Sequence, residues 1–161
     1  MQHAPPPTKP RPVVVPDVNV LISSLIGRRN EPSPPARILS AWKKGEIIIV
    51  LSEPIMDKIN DVLHRPVLFP FLSARFSSGG VEKQIEDFLH ALRRRARITL
   101  GVLDIKVVEA DPEDDTILIA AVEGKADCII SGDRHLKNLG SYKSIPILSP
   151  TEFVEQYNIG P

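Results

Sequence analysis

The stretch Val13-Val-Val-Pro-Asp-Val-Asn-Val-Leu-Ile-Ser-Ser-Leu-Ile26 decides the fold. Three consecutive β-branched residues favour a buried strand, because branching at Cβ suits a pleated, packed surface. Proline has no amide hydrogen to extend a ladder, so the strand ends at Pro16-Asp17. From Asn19 to Ile26 the pattern reads as a helix. An apolar strand running straight into a helix is the first half of a β–α unit.

The rest of the chain repeats that alternation. Ile47 to Leu51 is another continuous apolar run, followed by a helix from Glu53 to His64 that Ser52 can cap and Pro66 closes. Asp127 to Ser131 and Ile145 to Leu148 are further strands, and Ile105 to Val108 is expected to be a short one. Helices are expected at Ala36–Lys44, Val81–Ala96, Asp114–Glu123 and His135–Leu139, with a capping box at Ser149–Glu152 opening the last. Gly27 to Pro35, with three prolines, reads as an exposed loop and Ser77 to Gly80 as a linker. The predicted class is α/β: a three-layer α/β/α domain over residues 13–157 with a central, mostly parallel sheet. Residues 1–12 read as a disordered, proline-rich tail.

Composition narrows the function. Lys and Arg total 20 against 20 Asp and Glu, so overall charge does not draw the chain to a polyanion. The lone cysteine, Cys128, sits in an apolar run as core filler and fits a reducing cytoplasm. No apolar stretch approaches the ~20 residues of a membrane span.

The acids carry the chemistry. Asp17 directly follows the first strand, and Asp133 follows the Cys128–Ser131 strand through one glycine. In parallel sheets, sites form beyond the carboxyl ends of strands. Asp115, in the first turn of its helix within Asp111-Pro-Glu-Asp-Asp115, faces the same crevice if that helix turns its apolar stripe to the sheet. Each acid alone is more readily a helix cap or turn former. Together, as hard oxygen ligands without His or Cys, they suit Mg²⁺ or Mn²⁺. Asn19, Ser131 and Asp114 stand beside them as supporting residues.

These motifs resemble those of the PIN-domain family. Val14-Val-Pro-Asp-Val-Asn-Val-Leu-Ile-Ser23 looks like its opening motif, Asp111-Pro-Glu-Asp-Asp-Thr-Ile-Leu-Ile-Ala-Ala121 its third, and Ile129-Ile-Ser-Gly-Asp-Arg-His-Leu136 its fourth. The resemblance spans roughly Val13 to Gln156 and is closest to the branch of toxin components of toxin–antitoxin pairs. It implies Mg²⁺- or Mn²⁺-dependent cleavage of RNA phosphodiesters, with Asp17, Asp115 and Asp133 as catalytic metal ligands, and an antitoxin protein as partner. Two positions depart from the pattern. Val18 replaces the usual Thr, and Lys58 stands where the family supplies a Glu. Helical phase puts Lys58 at the edge of the apolar face of Ile55, Ile59, Val62 and Leu63, with Asp57 and Asp61 further toward solvent.

Lys58 therefore motivates a rival reading, a catalytically weakened module that binds RNA or a protein. A phosphatase with Asp-x-Asp after its first strand is disfavoured, since the second position is Asn19. The run Arg93-Arg-Arg95 with Arg97 suits a helix C-terminus, with RNA-backbone contact, alongside Arg28 and Arg29, the weaker alternative. The apolar stretches Val67–Leu72 and Val81–Leu92 point either to a homodimer contact or to completion of the core.

Overall fold

The apolar runs become the strands β1 (Val13–Pro16), β2 (Ile48–Ser52), β3 (Arg97–Thr99), β4 (Cys128–Ile130), β5 (Ser141–Tyr142) and β6 (Ile145–Leu148). They belong to a computed structural model that describes residues 10–27, 32–76, 80–109 and 111–161. Arg28 and Arg29, residues 1–9 of the proline-rich segment and residues 77–79 of the linker lie outside the described residues. The strands form one sheet in the order β3-β2-β1-β4-β6-β5, parallel throughout except for the β5–β6 pair. Val14, Val15, Ile49, Val50, Leu51, Cys128, Ile129 and Ile130 are 0% exposed, so both faces of the central strands are covered. The architecture is a three-layer α/β/α fold with a mostly parallel sheet.

The covering helices are α1 (Val18–Ile26), α2 (Pro34–Lys43), α3 (Glu53–Leu63), α4 (Phe69–Arg75), α5 (Val81–Arg95), α6 (Pro112–Glu123), α7 (Arg134–Leu139) and α8 (Pro150–Gln156). Short polar side chains start most of them: Asp17, Ser33, Ser52, Asp111, Asp133 and Ser149 each accept from a first-turn amide. Such caps satisfy donors with no partner inside the helix. Ser149 and Glu152 form the expected reciprocal capping box. Among the described residues no helix is long and apolar enough to cross a membrane.

One expected strand is corrected. Ile105 to Val108 is not a strand; the third strand of that wing is Arg97–Thr99, pairing in parallel with Val50, Leu51 and Ser52. Side-chain carboxylates take up the amides that a neighbouring strand would have held. Asp115 Oδ1 accepts from Val107 N at 3.0 Å and Val108 N at 2.9 Å. Glu123 accepts from Gly101, Val102 and Leu103 N at 2.7, 2.9 and 3.3 Å. The apolar stretch after α3, to which the sequence pattern assigns no element, is helical, with a 3-10 turn at Pro66–Leu68 followed by α4. Pro70 lies in the first turn of α4, where its missing amide costs nothing. Ile85, Phe88 and Leu92 of α5 complete the core, as does Leu72, whereas Val67, Phe69 and Phe71 stay 70%, 59% and 54% exposed.

Gly124 ends α6 at its closest approach to the sheet. A Cβ there would lie 2.4 Å from Val50 Cγ1 and 3.0 Å from Ala120 O. Val50 is fully buried and β-branched, so it has little room to yield. Gly124→Ala is expected to lower stability by about 1–3 kcal/mol, as overpacking does. Val50→Ala combined with it should recover part of that loss, measured as non-additive shifts in a thermal-melt double-mutant cycle. Additive losses would place the strain elsewhere.

Candidate active site

β1 and β4 are neighbours at the point where strand order reverses, with β2 and β3 on one side and β6 and β5 on the other. Open α/β sheets place ligands beyond the carboxyl ends of strands at such a switch point. A crevice of about 250 Å³ opens there. Asp17, from the β1–α1 junction, and Asp133, from the β4–α7 junction, both line it.

Parallel pairing sets these two acids side by side. Val14, Val15 and Pro16 of β1 register with Cys128, Ile129 and Ile130 of β4, and Asp17 N extends the ladder to Ile130 O at 2.9 Å. Ser131 then joins the acids: its hydroxyl donates to Asp17 Oδ2 and accepts from Asp133 N at 3.0 Å. Asp17 Oδ1 also takes Val20 N at 2.8 Å, and Asp133 Oδ1 takes His135 N and Leu136 N at 2.8 and 3.2 Å. Both carboxylates are thereby fixed as helix caps, each at the positive end of a helix. The structural and chemical readings of these acids are compatible, because capping engages only part of each carboxylate.

The third expected acid is placed differently. Asp115 is buried, absent from the crevice lining, and committed to the Val107 and Val108 amides. The crevice-facing acid of α6 is Asp114, one residue earlier. Adjacent helical residues differ by about 100° in direction, so one position decides between chemistry and scaffold. Asp111, the cap of α6, lines the crevice too, as do Asn19 and Val18. Asn19 lies inside α1, whose cap is Asp17.

Lys58 lines the crevice, as does Arg65. The Lys58 ammonium does not enter the aspartate cluster. Its Nζ lies 3.1 Å from Glu113 Oε1. Asp57 and Asp61 are exposed and outside the lining, Asp61 lying 3.4 Å from the Arg65 guanidinium. The short range Asp111–Asp114 thus supplies three lining acids, of which sequence reasoning singled out only Asp114, as a supporting residue. Arg93 is occupied by Glu53 in a two-pronged pair at 2.9 and 3.0 Å, and Arg95 caps α2 through Trp42 O and Lys43 O.

Electrostatics mark the acids as crowded. Burial raises the pKa of Asp17 and the Asp133 charge adds to this, against hydrogen bonds from Ser131 and Val20 that lower it. Asp114 is pushed up to about 7, by burial first and then by the charges of Asp133, Asp111 and Asp17. Its protonated form can also donate to Asp133. As a carboxylate, its Oδ2 is buried with no hydrogen-bond partner. An orphaned buried oxygen among like charges is what a divalent cation would relieve, and an all-oxygen donor set suits Mg²⁺ or Mn²⁺. Among the described residues no three such groups already stand close enough to enclose an ion.

A family model described as PIN domain matches residues 13–135, which include every residue lining the crevice. No curated protein matches the chain.

The pKa of Asp114 makes metal-free stability depend on pH. The folded pKa lies above the unfolded one, so between about 4 and about 7 the folded state binds more protons. Stability therefore falls as pH rises through that window. Asp114→Asn is expected to flatten this fall and to raise the melting temperature in chelator at pH 8, by a few degrees. A melting temperature unchanged or lowered at pH 8 would show that the acids are not crowded.

Proposed function

Because the chain belongs to the PIN-domain family and has its nuclease-type fold, we propose that it is a divalent-metal-dependent endoribonuclease hydrolysing RNA phosphodiester bonds. Asp17, Asp114 and Asp133 are its ligand set, with Asp111 beside them. The carrying observation is the buried, unpartnered Oδ2 of Asp114, a residue that lines the same crevice as the other two acids. The original assignment of Asp115 moves to Asp114, since Asp115 is spent on the Val107 and Val108 amides.

When bound, Mg²⁺ or Mn²⁺ would orient a water and offset charge building on the phosphate oxygens. The chain's own residues prepare that site. Ser131 and the Val20 amide hold the Asp17 carboxylate in one orientation, and the His135 and Leu136 amides do the same for Asp133. Asp114, whose pKa is pushed up to about 7, would have to give up its proton to serve as a ligand. Ligation should therefore tighten as pH rises.

The rival reading, a weakened binding module, needs the Lys58 ammonium among the aspartates. Its pairing with Glu113 argues against that. A role as the toxin of a toxin–antitoxin pair, acting in the cytoplasm, fits the same reading. So does self-association through Val67, Phe69 and Phe71, whose exposure is unusual for side chains so apolar. Phe69→Ser with Phe71→Ser should then yield monomer by light scattering where wild type is dimeric; a monomeric wild type ends that part.

The metal site is tested by melting and cleavage together. Mn²⁺ at 100 times its dissociation constant should stabilise wild type by about 2.7 kcal/mol. Asp17→Asn and Asp114→Asn should each remove most of that shift and lower RNA cleavage at least ~100-fold, the scale of several kcal/mol of lost charge stabilisation. Asp115→Ala should instead cost stability, by about 1–3 kcal/mol for the stranded amides, while keeping the Mn²⁺ shift. If Asp115→Ala loses the Mn²⁺ shift and Asp114→Asn keeps it, the ligand assignment is wrong.

A further inference from the structure

The crevice has two walls of opposite charge. Its acids come from the β1–α1 junction, from the start of α6 and from the β4–α7 junction. Its cations, Lys58 and Arg65, come from α3 and the residues just after it. We propose that Lys58 and Arg65 form a phosphate clamp, which takes a backbone phosphate of single-stranded RNA while the acids act on the scissile one. This rests on reading the crevice as a ribonuclease site.

The clamp explains why a lysine is tolerated beside so many acids. Lys58 Nζ meets Glu113, whose side chain is 68% exposed, rather than the buried Asp17. Glu113, itself a lining residue, thus holds the ammonium in an exposed pair rather than against an aspartate of the ligand set. Arg65 is held in the same way by Asp61, at 3.4 Å, with side chains 48% and 69% exposed. Exposed pairs of this kind contribute little stability. Exchanging Glu113 or Asp61 for a phosphate oxygen therefore costs little, and each backbone phosphate that the ammonium or guanidinium neutralises releases condensed counterions. The acids alone would repel an RNA backbone, so a basic wall at the mouth answers a need that the overall charge balance leaves open.

The test measures binding without metal, separately from catalysis. In chelator, fluorescence anisotropy would follow a short single-stranded RNA across a salt series, for wild type, Lys58→Ala, Arg65→Ala, the double variant and Lys58→Arg. Each lost cation should weaken binding and make the log–log salt slope shallower by ~0.7. Lys58→Arg should restore it. In Mn²⁺, Lys58→Ala should raise KM and leave kcat nearly unchanged, the mark of uniform substrate binding. Thermal melts should show all variants folded, since only exposed pairs are lost. Asp17→Asn serves as the separate control: it should abolish cleavage yet keep or tighten binding in chelator. Unchanged affinity and slope in the double variant, with cleavage still dependent on Asp17, overturns the clamp and leaves the nuclease reading intact. Clamp-dependent RNA binding with no Asp17-dependent cleavage overturns the nuclease reading instead.

Discussion

Everything at the crevice depends on β1 lying parallel to β4 in one register. Because Pro16 pairs with Ile130, the next residues of both strands leave the sheet together. Asp17 follows at once, and Ser131 follows on the other side. A shift of one residue would turn every side chain to the opposite face. The Ser131 hydroxyl would then lose Asp17, and the two acids their common partner. The fully buried valines and isoleucines on these strands fix the register, so the core itself sets the geometry of the acids.

The same helix that brings chemistry also secures the sheet. Asp114 stands in the crevice at a cost, shown by its raised pKa and its unpartnered oxygen. Its neighbour Asp115 is satisfied by two amides and anchors the segment before the helix. Strain at a functional position is thus held in place by a well-paired residue beside it. Gly124, at the far end, lets α6 lie close enough to Val50 for this placement.

Much of this was legible in the sequence, for identifiable reasons. Continuous apolar runs such as Ile47–Leu51 and the Cys128 run can only be buried strands in a chain of alternating elements, and acids that follow such strands fall at one edge. The phase of Lys58 was readable because α3 has a clear apolar stripe, with Ile55, Ile59, Val62 and Leu63 all buried. The phase of α6 was not. Ile117 to Val122 are all apolar and so spread around the helix, and no stripe says which of Asp114 and Asp115 faces the crevice. β3 escaped notice because Arg97-Ile-Thr99 is too short and too polar to show a pattern. Ile105 to Val108 has the pattern, but Asp115 holds the amides of its last two residues, and sequence periodicity carries no information about such long-range acceptors.

The Glu123 carboxylate stands in for a backbone, accepting from the Gly101, Val102 and Leu103 amides. Burial works to raise its pKa, but the Val102, Gly101 and Leu103 amides outweigh that and hold it low. A carboxyl whose folded pKa is depressed contributes stability above its unfolded value and loses it as pH falls through the folded one. A peptide carbonyl has no such dependence. The margin of the sheet beyond β3 is therefore tied down by an acceptor that acid can switch off, whereas the crevice at the other end of α6 relaxes in acid as Asp114 takes its proton. One helix carries two ionisable ends with opposite responses, and acidification would fray the hem of the fold while easing its centre.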